Sequence, residues 1–221
     1  LFSYDSFKYS RQKNRLQPIL FAIDAKRLYN KKDKRALLLK NREYFYDLAI
    51  DIGNTTVTLG GVRIAPQQAY SLEFTARIDI NHTWSASQYE SAIEQLFEDK
   101  NLSPSDFRGV IISSVVPSVL TLLQECVRNL FGTEPLLVTS ESDLGMTFSI
   151  PEPEKVGRDR LVDAAWAAAH YPLPVITVDL GTATTFNVIR ENSVFCGGAI
   201  APGLDMGLGA LSEPDRPAPA A

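Results

Sequence analysis

The feature that most limits how this chain can fold is a short acidic turn that occurs twice. The sequences Asp51-Ile-Gly-Asn-Thr and Asp179-Leu-Gly-Thr-Ala lie 128 residues apart. Each follows an apolar, strand-like run, and each precedes a second run of the same kind. Internal repetition of this sort indicates a duplicated architecture. The chain is therefore predicted to be an α/β protein with two related halves, each built from a strand, an acidic turn and further strands.

The residue types in these turns suit phosphate binding. Gly53 and Gly181 let the main chain approach a ligand closely, and backbone N–H groups in such a turn form a nest for phosphate oxygens. Asp51 and Asp179 supply hard carboxylate oxygens, which suit Mg²⁺ or another cation that neutralises phosphate charge. An acidic turn can also simply close a hairpin. Its repetition in matching positions favours the ligand-binding interpretation.

Charge is distributed unevenly along the chain. Residues 1–46 hold 12 Lys and Arg against 4 Asp and Glu, whereas residues 47–221 hold 10 against 22. The acidic body lacks the positive surface that general nucleic-acid binding requires. The basic arm leaves three alternatives open: a surface for nucleic acid or anionic membrane, a transit peptide, or a solvated extension. Residues 213–221 contain three prolines and are predicted to form a disordered tail.

Composition narrows the class of protein further. Hydrophobic residues make up 45% and charged residues 22%, the balance of a globular chain with a core. No apolar run approaches the about 20 residues of a membrane-spanning helix, so we expect no membrane-spanning segment and no membrane partner beyond the alternative left open for the basic arm. Cys126 and Cys196 are too few for a disulfide scaffold and indicate a reducing compartment, so we expect a cytoplasmic protein. No His and Cys spacing indicates zinc, and His82 and His170 are expected to be structural or exposed.

Apolar spacing predicts the order of the secondary-structure elements. Strands are expected at residues 48–50, 57–62, 69–77, 109–116, 136–138, 175–179, 184–189 and 194–200, and helices at residues 86–99, 117–130 and 157–170. The predicted domains are a basic extension at residues 1–46, a first half at 47–150, a second half at 151–212 and the tail at 213–221.

Two further groups of residues could carry chemistry. The sequence Gly157-Arg158-Asp159-Arg160 precedes an alanine-rich helix. It can be a helix cap or a salt bridge, or it can place Asp159 as a general base with arginines that hold an anionic substrate. The small residues of Gly197–Gly203 would let a flat ring such as adenine lie against the backbone.

Five segments together resemble the type III pantothenate kinases, which belong to the actin-like, sugar-kinase and heat-shock-protein ATPase superfamily. They are Asp51–Thr56, Ile112–Ser118, Gly157–Arg160, Val178–Thr185 and Gly197–Gly203, in that order. The resemblance implies a duplicated RNase H-like fold. It ends near Leu211, so the second half is expected to be incomplete, with about three of five strands.

The resemblance also implies an activity. Members of this family transfer phosphate from ATP to pantothenate, giving 4'-phosphopantothenate in the first step of coenzyme A biosynthesis. The implied cofactors are Mg²⁺ with ATP and a monovalent cation, potassium or ammonium, and the implied assembly is a homodimer. Two alternatives stay open: a catalytically impaired or regulatory accessory protein of the same fold, and a different kinase of the superfamily.

Site residues follow from the same resemblance. The implied ATP-binding residues are Asp51, Ile52, Gly53, Asn54, Thr55, Thr56, Val57, Thr58 and Thr182. The implied pantothenate-binding residues are Gly157, Arg158, Asp159 and Arg160. Asp159 is the expected proton acceptor, Asp179 the expected ligand of the monovalent cation, and Asp51 is expected near Mg²⁺. Arg158 stands where the family usually has a small residue, and Ile150 stands where a substrate-contacting Tyr is common.

Overall fold

Two β-sheets lie on either side of one central helix. The computed structural model describes residues 45–64 and 70–212. Residues 1–44 of the basic arm and the tail at 213–221 lie outside the described residues, so the expectations for them stay predictions, whereas Phe45 and Tyr46, which were assigned to the arm, begin the first strand of the fold. Among the described residues, no helix combines the length and apolar character needed to cross a bilayer.

The first sheet contains the first acidic turn. Its strands are β1 (Phe45–Ile52), β2 (Thr56–Ile64), β3 (Tyr70–Asp79), β4 (Phe107–Ser114) and β5 (Leu136–Leu137). Their order is β3-β2-β1-β4-β5, with β1, β2 and β3 in an antiparallel meander and β4 and β5 parallel to β1. This is the five-stranded sheet expected of an RNase H-like half, and β1 is central in it.

A helix pair covers one face of this sheet. The helices are α1 (Ala86–Glu98) and α2 (Pro117–Phe131). A capping box at Ser85 begins α1, and Gly132 ends α2 in the left-handed conformation that glycine adopts without strain. The apolar faces of both helices pack on Leu48, Ile50 and Ile52 of β1, which are fully buried.

The central helix α3 (Arg158–His170) packs on both sheets. Ala165 contacts the other face of the first sheet, in a cluster with Ala49 and Ile111. Ala164 packs on the opposite side, in a cluster with Phe195. Because alanine side chains are small and favour helix, one helix can approach two sheets closely.

The second sheet repeats the opening meander of the first. Its strands are β6 (Thr147–Phe148), β7 (Val175–Leu180), β8 (Ala183–Arg190) and β9 (Val194–Pro202), in the order β6-β9-β8-β7, and α4 (Leu204–Ser212) follows. The antiparallel strands β7, β8 and β9 correspond to β1, β2 and β3. Strand β6 was not predicted: it lies before residue 151 and yet pairs with β9, so the described part of this sheet has four strands where about three were expected.

The outer face of β7 is uncovered, unlike the equivalent face of β1. Ile176, Val178 and Leu180 occupy the positions of Leu48, Ile50 and Ile52 one repeat later, and they are 62%, 52% and 58% exposed. The residues of β1 are 0% exposed at these positions. Within the described part of the chain, no element takes the place over β7 that α1 and α2 take over β1.

A buried ion pair joins the beginnings of β1 and β4. The guanidinium of Arg108 donates two hydrogen bonds to the carboxylate of Asp47, one of them from Nε to Oδ1 at 3.1 Å. Asp47 is 1% exposed. Burial raises the pKa of Asp47 above its ordinary value, while the hydrogen bonds and the charge of Arg108 act to lower it. The burial of the Asp47 carboxylate in the fold therefore depends on its pairing with Arg108.

The two cysteines are expected to differ in reactivity. Burial raises the pKa of Cys126 to about 12, and its Sγ donates to the carbonyl of Ala86 at 3.0 Å. At about pH 8 such a thiol has on the order of 1,000-fold less thiolate than a free cysteine. Iodoacetamide labelling of the native protein, read by peptide mass spectrometry, should modify the half-buried Cys196 first. Equal labelling of both cysteines in the folded protein would contradict this expectation.

Candidate functional site

The first acidic turn ends β1 at a row of polar residues that crosses the sheet. Asp51 is 7% exposed and pairs in register with Thr58 of β2 on one side and Ser113 of β4 on the other. Paired residues on neighbouring strands share a face, and two residues earlier this face carries Ala49, which packs toward α3. Asp51 therefore lies on the side of the first sheet that faces the second half.

The turn itself presents backbone and short polar side chains. The N–H of Gly53 donates to the carbonyl of Thr56 at 3.0 Å, and the side chains of Asn54 and Thr55 are exposed. Ile52 and Val57 were also expected to bind ATP, but their side chains are fully buried among α1 and α2. Neither side chain can therefore contact a phosphate.

A test of whether Mg²⁺ and phosphate fit here comes from Ser113. Its Oγ is the one buried side-chain polar atom in the described part of the chain without a hydrogen-bond partner, and it lies in register beside Asp51. An unpaired buried hydroxyl is costly unless a ligand or its water completes it. Residues 45–64 and 70–212 contain no cluster of three acidic, His or Cys residues that could hold a metal alone. The fit is therefore to a cation held largely through phosphate oxygens, as is usual for Mg²⁺.

The second acidic turn lies against the glycine-rich segment. Asp179 pairs in register with Thr185 of β8, as Asp51 pairs with Thr58 of β2. The N–H of Gly203 donates to the carbonyl of Thr182 at 3.1 Å, and Thr184 Oγ1 donates to the carbonyl of Pro202, at the end of the neighbouring strand β9, at 3.2 Å. Two of the segments singled out in the sequence thus meet at one end of the second sheet.

Asp159 lies in the first turn of the central helix. Its Oδ1 accepts a hydrogen bond from the backbone N–H of Arg160 at 2.8 Å, and the residue is half-buried. Gly157 leaves the space for this arrangement, because a Cβ at that position would lie 2.5 Å from Oδ1 of Asp159. Any side chain at residue 157 would displace the carboxylate.

Arg158 ties this turn to the first half. Its Nε donates to the carbonyl of Val138 at 3.0 Å, and its Nη1 donates to the carbonyl of Ser114 at 3.2 Å. Ser114 is the last residue of β4, and Val138 immediately follows β5. The guanidinium therefore bridges the carboxyl ends of two parallel strands, where open α/β sheets commonly bind ligands.

Arg160 ties the same turn to the second half. Its Nε donates to Oδ1 of Asn187 at 2.7 Å, and its Nη2 donates to the carbonyl of Phe186 at 3.1 Å. Both partners belong to β8. The two arginines that flank Asp159 in the chain are thus anchored in opposite halves. The sequence analysis did not identify Asn187, which lies 27 residues from Arg160 and outside every recognised spacing.

Two curated relatives are similar over most of this chain. The type III pantothenate kinase of Finegoldia magna is 38% identical over 164 residues, which cover 74% of this chain and 61% of that protein. The type III pantothenate kinase of Listeria monocytogenes serotype 4a is 37% identical over 164 residues, with the same coverage of both chains. The chain thus spans about 61% of the length of these relatives.

A solved structure and a family description complete the comparison. The Ppx/GppA phosphatase of Aquifex aeolicus aligns with 77% of this chain and 57% of its own, at a TM-score of 0.48 and 14% identity. A sequence model of the type III pantothenate kinase family matches residues 47–216, which include both acidic turns and the turn that holds Asp159. This chain belongs to the type III pantothenate kinase family.

Proposed function

We propose that this protein transfers the γ-phosphate of ATP to the hydroxyl of pantothenate, the first step of coenzyme A biosynthesis. The observation that carries the proposal is the position of Asp159, held by its neighbours at the start of a helix that packs between the two halves. Family membership supplies the identity of the substrates, and phosphoryl transfer requires mainly positioning and charge neutralisation.

The residues of the site take separate roles in this proposal. Backbone N–H groups of residues 54–56 bind phosphate oxygens beside Asp51, and Thr182 contacts ATP from the second turn. Mg²⁺, when bound near Asp51 through these phosphates, neutralises their charge. Asp159 accepts the proton of the pantothenate hydroxyl, and Arg160 binds the pantothenate carboxylate.

Three finer parts of the proposal remain, of which the first two rest on the resemblance alone and the third, the location, rests also on the small number of cysteines. Asp179 binds potassium or ammonium in the second turn. Two copies of the chain form a homodimer. The reaction takes place in the cytoplasm, where ATP and Mg²⁺ are available.

The direct test is an assay of the full chain with pantothenate, Mg²⁺, ATP and potassium. We expect ADP release and 4'-phosphopantothenate by mass spectrometry, and a loss of rate when sodium replaces potassium. The neutral alcohol analogue of pantothenate is the matched control, because it keeps the reacting hydroxyl and removes the carboxylate. It should be a poorer substrate, since it cannot pair with Arg160.

Two results would overturn the proposal. ADP release that does not depend on pantothenate would indicate a different substrate and favour another kinase of the superfamily. No release with any nucleotide, together with no binding of pantothenate in calorimetry, would favour the impaired or accessory alternative.

A further inference from the structure

We infer that Asn187 is a positioning residue for substrate binding, because it holds the Arg160 guanidinium in place for the anionic group of the substrate. The inference rests on the proposed function for the identity of that substrate. Asn187 is 0% exposed, and it lies in the middle of β8. A fully buried amide must find partners for its polar atoms, so its contacts define its role.

The amide of Asn187 is held at both ends. Its Nδ2 donates to Oγ1 of Thr177 at 2.9 Å, and its Oδ1 accepts from Nε of Arg160 at 2.7 Å. Because arginine only donates, the amide oxygen must face Arg160, and the Thr177 hydroxyl on β7 then accepts from the NH₂ end.

The surrounding backbone also fixes the position of the Arg160 guanidinium. The Phe186 carbonyl accepts from Nη2 of Arg160 at 3.1 Å. Gly198 of β9, which is in register with Asn187, leaves room for the arginine, because a Cβ there would lie 2.9 Å from Nη2 and 1.8 Å from the Phe186 oxygen. The adjacent strands β7, β8 and β9 together therefore define the position of the Arg160 side chain.

One side of the Arg160 guanidinium keeps donors for a ligand. Arginine has five N–H donors, and the bonds to Asn187 and Phe186 occupy one on Nε and one on Nη2. Within residues 45–64 and 70–212, no acceptor forms a hydrogen bond with Nη1 of Arg160. Nη1 and the second N–H of Nη2 form the fork that binds a carboxylate with two hydrogen bonds.

The first test separates positioning from stability by kinetics on the full chain. Asn187→Leu has a similar size and no acceptor, whereas Asn187→Asp keeps the acceptor. We expect Asn187→Leu to raise the KM for pantothenate about ten- to one-hundredfold and to leave the KM for ATP within about twofold. Asn187→Asp should stay within about threefold of the parent. Ile189→Val is the matched control, because Ile189 is equally buried on the same strand.

A second readout does not require catalysis. The Nε–H proton of Arg160, assigned by its loss in Arg160→Lys, should exchange slowly with solvent in the parent and in Asn187→Asp. It should exchange rapidly in Asn187→Leu. Rapid exchange in the parent would overturn the inference whatever the activity.

The outcomes distinguish this inference from the proposed function. A chain that phosphorylates pantothenate and shows the same KM in Asn187→Leu as in the parent overturns the inference and supports the proposed function. A chain that neither binds nor phosphorylates pantothenate overturns the assignment of Arg160 to that substrate. If the Nε–H of Arg160 is still protected from exchange in that chain, the result supports the contact between Asn187 and Arg160.

Discussion

Replacing Asp159 with asparagine is expected to lower kcat for pantothenate phosphorylation about 100- to 10,000-fold, the usual contribution of a general base. An asparagine keeps an oxygen for the backbone N–H of Arg160 and a nearly identical shape, so the turn should persist. It cannot accept the proton of the attacking hydroxyl. The KM values for pantothenate and ATP should change little, because binding does not use that proton transfer.

The matched control for this variant is Asp163→Asn. Asp163 lies one turn later on α3 and undergoes the same change of charge. We expect its kcat to stay within a few-fold of the parent. Steady-state kinetics at saturating ATP would measure both variants, and a parent-like kcat for Asp159→Asn would remove Asp159 from the mechanism.

The Arg108→Met variant is expected to lose about 3–5 kcal/mol of unfolding free energy, the usual effect of leaving one partner of a buried ion pair alone. Methionine retains the apolar stem of the side chain, so the loss reports mainly on the charge of Asp47. Urea unfolding of the parent and the variant at neutral pH gives the difference. The double variant Asp47→Leu with Arg108→Met should recover most of the loss, and an equal loss in the double variant would contradict this account.

The unfolding free energy lost in Arg108→Met should also depend on pH. Burial already raises the pKa of Asp47 in the parent, and removal of Arg108 takes away the two effects that lower it. A carboxyl whose pKa is raised in the folded state contributes its stability below the unfolded pKa, and that stability is lost as pH rises through the folded pKa. The deficit of Arg108→Met relative to the parent should therefore be small in acid and grow toward neutral pH. A deficit that shrinks as pH rises would contradict this sign.

Local patterns in the sequence were sufficient for most of the fold. The helices at residues 86–99 and 157–170 were predicted within a residue of α1 and α3, because apolar spacing and flanking cap residues act over a few positions. The repeated acidic turns correctly predicted the duplicated meander, since strand, turn and strand are neighbours in the chain.

Features set by distant contacts could not be predicted. The two-residue strand β6 forms because it pairs with β9 and because Phe148 packs on Phe195, with ring centroids 5.9 Å apart. Arg108 and Asp47 meet across 61 positions, and Asn187 meets Arg160 across 27. Such pairings depend on how the sheets assemble, which no local period encodes. The roles of the site residues remain predictions, because their chemistry requires bound substrates.

The contrast between β1 and β7 makes the two halves unequal in what stabilises them. Within residues 45–64 and 70–212, the outer side chains of β7 stay in water and gain little from the hydrophobic effect, so the second sheet relies there on its hydrogen bonds and on the face packed against α3. A ligand that binds only the folded form stabilises it by mass action. Because Arg160 is anchored in β8, an anionic ligand would add stability to the second half, whose core is the smaller one among the described residues. Occupancy of the site would then slow the local opening of that half, and resistance to proteolysis would rise with ligand concentration.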